Sequence, residues 1–436
     1  MSVLPMLTRL TLHVSDLLAR STFADAGWNR ARKTFTQRLA AGVALAGDVM
    51  VTDVVRALPA GHVDMRHRYK NFDRMLGEVD LVPVAAAQME AFGHQVDDKG
   101  DWVIPIDLSD ICKPYAEKME ALCSIHDGSE GKIDAKGYQL VTACAVNLGG
   151  AQKRVPLPLK FEAFSSAEEG FKSQPAIWLE TISQICDATT GGTIAMDREA
   201  DSGKILKRVL DRKRHFVVRL KAGYGCRNLV TLGEGTKLVS TLVQTLPRAG
   251  WIDVTRLSEA GEGSPYRADV SFAEVRLPGR PERLWMCVYH CEKHAQPMVL
   301  LTTRAVQSAA DAAATLARYF ARWAIEELHR FAKQAFKLEN VRTLTLNRTK
   351  NLVAATWMVM GALAIEGRLP CAETTLRAME MASDRVEAAL TDGQFWGYAL
   401  VDGLRVAVRR NPFLLHRVAR LWMHPPTRQL ALFGRA

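Results

Sequence analysis

Three carboxylic residues stand where acidic groups could serve phosphate chemistry. Asp107 ends the apolar run 102–106, Asp197 ends the run 192–196, and Glu326 lies in a stretch without Gly or Pro. Carboxylates are the hard oxygen ligands that Mg²⁺ and Mn²⁺ prefer. Two such ions about 3.5 to 4 Å apart can activate a nucleophile and stabilise the leaving oxygen at phosphorus. The three residues therefore predict a two-metal phosphoryl-transfer site.

Alternatives exist for both aspartates. An Asp after a strand more commonly caps a helix or occupies a turn. Asp110 lies three residues beyond Asp107, and Asp201 lies four residues beyond Asp197. We favour Asp107 because it ends its apolar run directly, and Asp197 because Asp201 follows the strand end by several residues.

A helix predicted over about 309–338 positions the third acid. Tyr319, Arg322, Glu326 and Lys333 follow one another at three, four and seven residues, so in an α-helix all four share one face. Such a face could hold a metal and grip a phosphate. An ordinary solvated face, with an ion pair between Arg322 and Glu326, has the same spacing.

Other elements follow from periodicity and breakers. The runs 102–106, 138–146 and 155–161 predict an antiparallel meander, and the runs 193–196 and 215–220 predict further strands. Helices are predicted from Pro175 to about Cys186 and over 204–211. Successive strands followed by an alternation of strands and helices indicate a mixed α/β sheet.

The string from Tyr319 to Lys333 carries the spacing Tyr-x2-Arg-x3-Glu-x6-Lys. It resembles the signature of the DDE transposases of the insertion-sequence-four group, and among them the Tn-five-type transposases. Asp197-Arg-Glu-Ala-Asp is similar to the second-aspartate motif of that group, and the run 216–221 is similar to the strand that follows it. The resemblance covers about residues 100–345.

The resemblance implies a ribonuclease-H-like α/β catalytic core, with a β-rich insertion at about 222–304, flanked by N-terminal and C-terminal helical regions. It implies cut-and-paste DNA transposition through a hairpin intermediate. Asp107, Asp197 and Glu326 would bind two Mg²⁺ ions, with Mn²⁺ as a substitute. The implied DNA contacts are Tyr319, Arg322, Trp323, Arg330, Lys333, Arg219, Lys221 and Met298.

Met298 departs from the family pattern. Close relatives carry Trp before the Leu-Leu-Thr that here follows as Leu300-Leu-Thr. In relatives that ring stacks on a base flipped out of the hairpin, and stacking of a base on an aromatic ring contributes about 1 to 3 kcal/mol. Methionine would wedge against a base less well.

Chain organisation and charge agree with a DNA partner. Three domains are predicted: 1–95, helical and DNA-binding; 96–370, catalytic; and 371–436, helical and dimerising. The formal net charge is +10 and the isoelectric point is about 9.2, which suits a polyanion. The expected partners are double-stranded DNA, as terminal inverted repeats and target, and a second copy of the chain in a synaptic complex.

The sequence also argues against a secreted, a membrane-spanning and a zinc-finger protein. Eight scattered cysteines and no charged-then-apolar start predict a reduced, cytoplasmic setting, and the family resemblance implies that the cell is bacterial. The longest apolar run, 352–365, is shorter than the roughly 20 residues that cross a bilayer, so we expect no membrane. The segment Cys287–His294 departs from zinc-finger spacing and predicts a strand followed by a polar turn.

The competing hypotheses for the function are a domesticated DNA-binding protein and another ribonuclease-H-like nuclease.

Overall fold

A computed structural model describes residues 3–21, 28–59, 63–127, 132–149, 156–221, 227–231, 235–254, 266–291, 296–369 and 396–423. The helices are α1 (Val3–Arg20), α2 (Arg30–Ala46), α3 (Val51–Ala57), α4 (Met65–Glu78), α5 (Val82–Gly93), α6 (Gln174–Ala188), α7 (Gly203–Asp211), α8 (Val239–Thr245), α9 (Ala309–Phe320), α10 (Trp323–Ala335), α11 (Leu346–Arg368), α12 (Gly397–Arg410) and α13 (Phe413–Met423). The strands are β1 (Trp102–Cys112), β2 (Cys123–Asp127), β3 (Lys132–Asn147), β4 (Leu157–Phe164), β5 (Thr193–Met196), β6 (His215–Arg219), β7 (Asn228–Thr231), β8 (Gly235–Leu238), β9 (Gly250–Val254), β10 (Tyr266–Arg276), β11 (Leu284–Cys291) and β12 (Met298–Thr302).

The chain forms two compact units. The helical unit comprises Met1–Gln95, Leu108–Gln174 and Ala324–Ala436, and the sheet unit comprises Val96–Asp107 and Pro175–Trp323. Strand β1 begins in the sheet unit and ends in the helical unit, and α10 has its first residue in the sheet unit. Each unit is described separately below.

The helical unit is built around α11. Every residue of this helix from Leu352 to Ile365 is buried, as expected for a helix that is apolar on all sides. Helices α1, α2, α5 and α12 and strand β4 contact it. Asn351 hydrogen-bonds the backbone between α4 and α5. Its side chain accepts from the Leu81 N–H at 2.8 Å and donates to the Val79 carbonyl at 2.9 Å.

This core does not follow the predicted domain boundaries at residues 95 and 370. The N-terminal helices pack with α11 and α12 in one cluster, because α11 needs apolar neighbours on every side and the segments before residue 95 supply them. Part of the predicted C-terminal domain, 370–395 and 424–436, lies outside the described residues. Within the part of the chain that the structure describes, no helix is long and apolar enough to cross a membrane.

The sheet unit contains a large mixed sheet. Its strand order is β1-β5-β6-β12-β11-β10-β7-β8, and β9 pairs with β10. Strands β1, β5 and β6 are parallel, whereas β12 runs antiparallel to both β6 and β11. The β-rich segment predicted as an insertion therefore extends the same sheet. Helix α9 contacts β5, β6, β9 and β10.

The first predicted strand was wrong in extent, and one strand was missed. Strand β1 runs on from Ile106 to Cys112, so Asp107 lies inside the strand and not after its end. The polar residues after Ile106 break the apolar run, but pairing with β3 keeps the backbone extended. The strand β2 was not predicted, and in the helical unit β3 pairs antiparallel with both β2 and β4.

The long helix predicted over 309–338 is interrupted at Ala321 and Arg322. Ala321 still bonds four residues back, to the Ala317 carbonyl, whereas the Arg322 N–H bonds only three back, to Tyr319, at 3.1 Å. Such a tightened turn ends α9. Tyr319, Arg322, Glu326 and Lys333 therefore do not share one continuous helix face. Glu326 and Lys333 still share a face, that of α10.

Candidate active site

Asp107 and Asp197 lie near the point where β1 and β5, two neighbouring parallel strands, stop pairing. The register pairs Val103 with Thr193 and Pro105 with Ala195. Continued by two residues, past the end of β5 at Met196, this register brings Asp107 opposite Asp197. Adjacent strands lie about 4.8 Å apart, and residues that share a register position point to the same face, so the continued register places the two carboxylates side by side.

A turn before β5 anchors this register. The N–H groups of Thr190 and Gly191 both donate to the Val96 carbonyl at 3.1 Å, and the Gly192 N–H donates to the Asp98 carboxylate at 3.2 Å. Gly192 has a φ of +92°, a conformation that favours glycine. These contacts and the conformation of Gly192 turn the chain into β5.

The neighbouring strands extend the row of side chains. Continuing the pairing of Met196 with Val218 places Arg219 opposite Asp197. Arg219 in turn pairs with Leu300 of β12, and Met298, two residues before Leu300, points to the same face as Arg219. Both Arg219 and Met298 are partly exposed. Across β1, β5, β6 and β12, one face of the sheet therefore carries Asp107, Asp197, Arg219 and Met298.

Asp197 has a capping role as well. Its Oδ1 accepts the Glu199 N–H at 2.6 Å and so caps the short 3₁₀ turn Arg198–Ala200. No further hydrogen bond or ion pair of this carboxylate is found within the described ranges, so Oδ2 is available to a ligand. The commoner role of an Asp after a strand and the predicted role are compatible here.

The carboxylate of Asp201 is engaged in an ion pair and a backbone hydrogen bond. Its carboxylate accepts the Lys221 N–H at 2.9 Å and the Arg227 Nε at 2.6 Å, and its side chain is only 4% exposed. Arg227 was not among the predicted site residues, and no local pattern marks it, because its partner lies 26 residues away. This ion pair fixes the segment that follows Asp197.

Arg322 contacts the first aspartate directly. Its guanidinium donates to Asp107 Oδ2 at 2.7 Å, and the two side chains are 9% and 17% exposed. The same guanidinium lies 6.0 Å from the Tyr319 ring and 5.7 Å from the Trp323 ring. Tyr319 is 4% exposed and Trp323 is 39% exposed. The pairing of Arg322 with Asp107 was not predicted.

The remaining predicted residues lie in the helical unit. Glu326 is in the first turn of α10, where a carboxylate is stabilised by the helix dipole. Lys333 Nζ lies 3.1 Å from both Asp110 and Glu339, and Arg330 pairs with Glu327 at 2.7 Å. Among the residues that the structure describes, no three or more Asp, Glu, His or Cys side chains form a group that could hold a metal ion.

Two neighbouring carboxylates nevertheless fit a divalent cation in donor chemistry. Mg²⁺ keeps several waters and is usually held by one or two protein carboxylates together with substrate phosphates. Asp107 and Asp197 supply two such groups at one register position. By contrast, burial raises the pKa of the Cys287 thiol in β11 to about 12, which disfavours the thiolate that zinc requires. His294 lies outside the described residues.

A large mixed sheet with acidic residues side by side on parallel strands is an arrangement suited to phosphoryl transfer. Residues 172–360 match the family model described as Transposase DDE domain. A comparison with curated proteins found no match. This stretch is a transposase DDE domain, a domain of catalytic nucleases and strand transferases, and it implies DNA transposition. The matched residues include Asp197 and Glu326 but not Asp107.

Proposed function

We propose that this chain is a cut-and-paste DNA transposase of the insertion-sequence-four group in which Asp107, Asp197 and Glu326 bind two Mg²⁺ ions. The observation that carries the proposal is the parallel pairing of β1 and β5, which, continued by two residues, brings Asp107 opposite Asp197. Like-charged side chains placed together on one face are costly unless a cation binds them. Arg322 compensates Asp107, and a divalent ion held by both carboxylates would compensate the pair.

Each residue of the row has a role in this proposal. When bound, the divalent ions activate the attacking oxygen and stabilise the departing one. Arg219, beside Asp197, donates to a non-bridging phosphate oxygen, and Lys221 extends the same cationic track along the strand. Arg322 and Lys333 contact the phosphates near the cut. Tyr319, Trp323, Arg330 and Met298 complete the proposed DNA contacts.

The geometry supports Asp107 over Asp110 and Asp197 over Asp201. Asp110 is three residues from Asp107, so strand alternation turns its side chain to the opposite face, and it pairs with Lys333. Asp201 is buried in its ion pair with Arg227. Both alternatives are thus occupied in structural contacts.

The proposed reaction has four steps. Water attacks phosphorus at the element boundary and releases a 3′-hydroxyl. That hydroxyl attacks the opposite strand, which forms a hairpin on the element end and releases the flanking DNA. A second water opens the hairpin, and the freed 3′-hydroxyl then attacks target DNA. Two ends must be held together, so we propose a homodimer that binds terminal inverted repeats and target DNA. Because Met298 stands where relatives have an aromatic ring, we expect hairpin formation to be the step that is weakened most in this chain.

The test is cleavage and joining of a linear duplex that carries the boundary sequences flanking the gene, with Mg²⁺, Mn²⁺ or chelator. Metal-dependent nicks at the boundary with hairpin or joined products support the proposal. Asp107→Asn and Asp197→Asn should abolish nicking, whereas the matched control Asp101→Asn, whose carboxylate pairs with Arg318 at 3.0 Å, should retain it. Tight binding without strand breakage would instead indicate a domesticated DNA-binding protein, and cleavage without joining another nuclease.

A further inference from the structure

An ion pair between Arg322 and Asp107 joins two residues of the proposed site. The distance is 2.7 Å, and both side chains are largely removed from solvent. The two residues are 215 positions apart in sequence. A carboxylate at this depth needs a cationic partner to remain charged, and Arg322 is such a partner in the protein without DNA.

Local structure holds the guanidinium at this carboxylate. Arg322 occupies the turn between α9 and α10, where its own N–H is bonded to the Tyr319 carbonyl at 3.1 Å. The rings of Tyr319 and Trp323 lie within about 6 Å of the guanidinium, a distance at which cation–π attraction operates. The arginine is therefore directed to Asp107 before any ligand arrives.

Two of the proposed roles compete for the same atoms. Asp107 Oδ2, which accepts from Arg322, is also an oxygen that a divalent ion would use. The guanidinium of Arg322, in turn, is the group that would grip a DNA phosphate. A phosphate that engages the Nη1 group of Arg322, which now donates to Asp107, displaces the carboxylate from it, because each N–H donates to one acceptor at a time.

We propose that Arg322 is the resting counter-ion of Asp107 and exchanges it for a DNA phosphate, so that DNA binding and metal binding assist each other. This inference rests on the proposed function of the site. DNA phosphate draws Arg322 away and leaves Asp107 open to a divalent ion; reciprocally, an ion on Asp107 releases Arg322 to the phosphate. Linkage of this kind requires each ligand to raise the affinity for the other by the same factor, commonly about 5- to 150-fold.

The first test is Mn²⁺ binding to the full chain without DNA, followed by electron paramagnetic resonance. Arg322→Gln removes the competing cation, so we expect tighter Mn²⁺ binding by a factor within the same range. The matched control is Arg318→Gln, which breaks an Arg–Asp pair of similar length to Asp101, one helical turn earlier. The control should bind Mn²⁺ like the unmodified chain. Unchanged or weaker binding by Arg322→Gln would overturn the exchange.

The second test adds the linear boundary duplex. The unmodified chain should bind Mn²⁺ more tightly with the duplex than without it, and Arg322→Gln should lose most of that gain. If Arg322→Gln fails to fold, Arg322→Lys replaces it and should show an intermediate gain, because lysine keeps the charge but not the fork. No gain in the unmodified chain contradicts the exchange.

Asp197→Asn separates the two ideas. If its Mn²⁺ binding equals that of the unmodified chain, the proposed site itself is wrong. If Asp197→Asn weakens Mn²⁺ binding while Arg322→Gln leaves it unchanged, the site stands and only the exchange fails.

Discussion

Replacing Asp110 by Asn distinguishes a residue that positions Lys333 from one that binds metal. Asp110 Oδ1 and Glu339 Oε1 each lie 3.1 Å from Lys333 Nζ. Burial works against the charge of Lys333, but the two carboxylates outweigh it and hold the lysine pKa above its ordinary value. Asp110 therefore holds a charged lysine in place and has a cation of its own.

The expected magnitude follows from these contacts. A hydrogen bond to a charged group contributes about 1.5 to 3 kcal/mol, and Asn retains a neutral acceptor worth about 0.5 to 1.5 kcal/mol. The net loss is about 1 kcal/mol, which corresponds to about a fivefold fall in rate. Loss of a metal ligand removes several kcal/mol of transition-state stabilisation, so Asp107→Asn should lower the rate by about a thousandfold or more.

The assay is single-turnover cleavage of the boundary duplex, together with Mn²⁺ binding. Asp110→Asn should bind Mn²⁺ normally, and adding it to Lys333→Ala should cause little further loss, because the aspartate acts through the lysine. The reasoning is refuted if Asp110→Asn abolishes both Mn²⁺ binding and cleavage while Asp107→Asn retains them. Full additivity with Lys333→Ala would also contradict it.

Four further outcomes are expected. Glu326→Gln should keep DNA affinity but lose cleavage, as gel shift and nicking assays would show, because it removes a charge with little change of shape. Burial lowers the pKa of His13 from 6.5 to about 4, so unfolding in urea should become easier by up to about 3 kcal/mol as pH falls between these values, and His13→Gln should flatten that dependence. Lys213 has a φ of +52°, so Lys213→Gly should stabilise the fold by up to about 1 kcal/mol, whereas Lys204→Gly inside α7 should destabilise it by a similar amount, both measured by thermal melting. Met298→Trp should raise the hairpin fraction on denaturing gels by at least about fivefold, since an aromatic ring stacks on a base better than methionine, and a fall in hairpin yield would contradict this.

Local patterns predicted the elements that are defined by an apolar run and by the residues at its two ends. The strand predicted at 193–196 coincides with β5, because Gly before it and Asp after it bound a short apolar run. The apolar run 352–365, too short to cross a bilayer, forms most of the buried helix α11. In both cases composition and breakers suffice, since no distant partner is needed to define the element.

Elements defined by distant partners could not be predicted in this way. Nothing between Ala309 and Leu338 breaks a helix, yet the chain turns at Ala321 and Arg322, where Arg322 reaches an aspartate 215 residues earlier. Strand β1 likewise continues past Asp107 through residues that lack an apolar alternation, because β3 pairs with it. Intrinsic propensity is a weak term that tertiary contacts of this kind override.

The choice between Asp107 and Asp110 shows what the register adds to a motif. In sequence the two residues are equivalent acids three positions apart on one polar stretch. In a strand, an odd separation places side chains on opposite faces, and only Asp107 has the parity that matches Asp197 across the parallel pairing of β1 and β5. Each aspartate also has its own cation: Arg322 for Asp107 and Lys333 for Asp110. The spacing of the motif supplies Arg322 and Lys333, whereas the strand pairing distinguishes Asp107, which matches Asp197 in parity, from Asp110, which contacts Lys333.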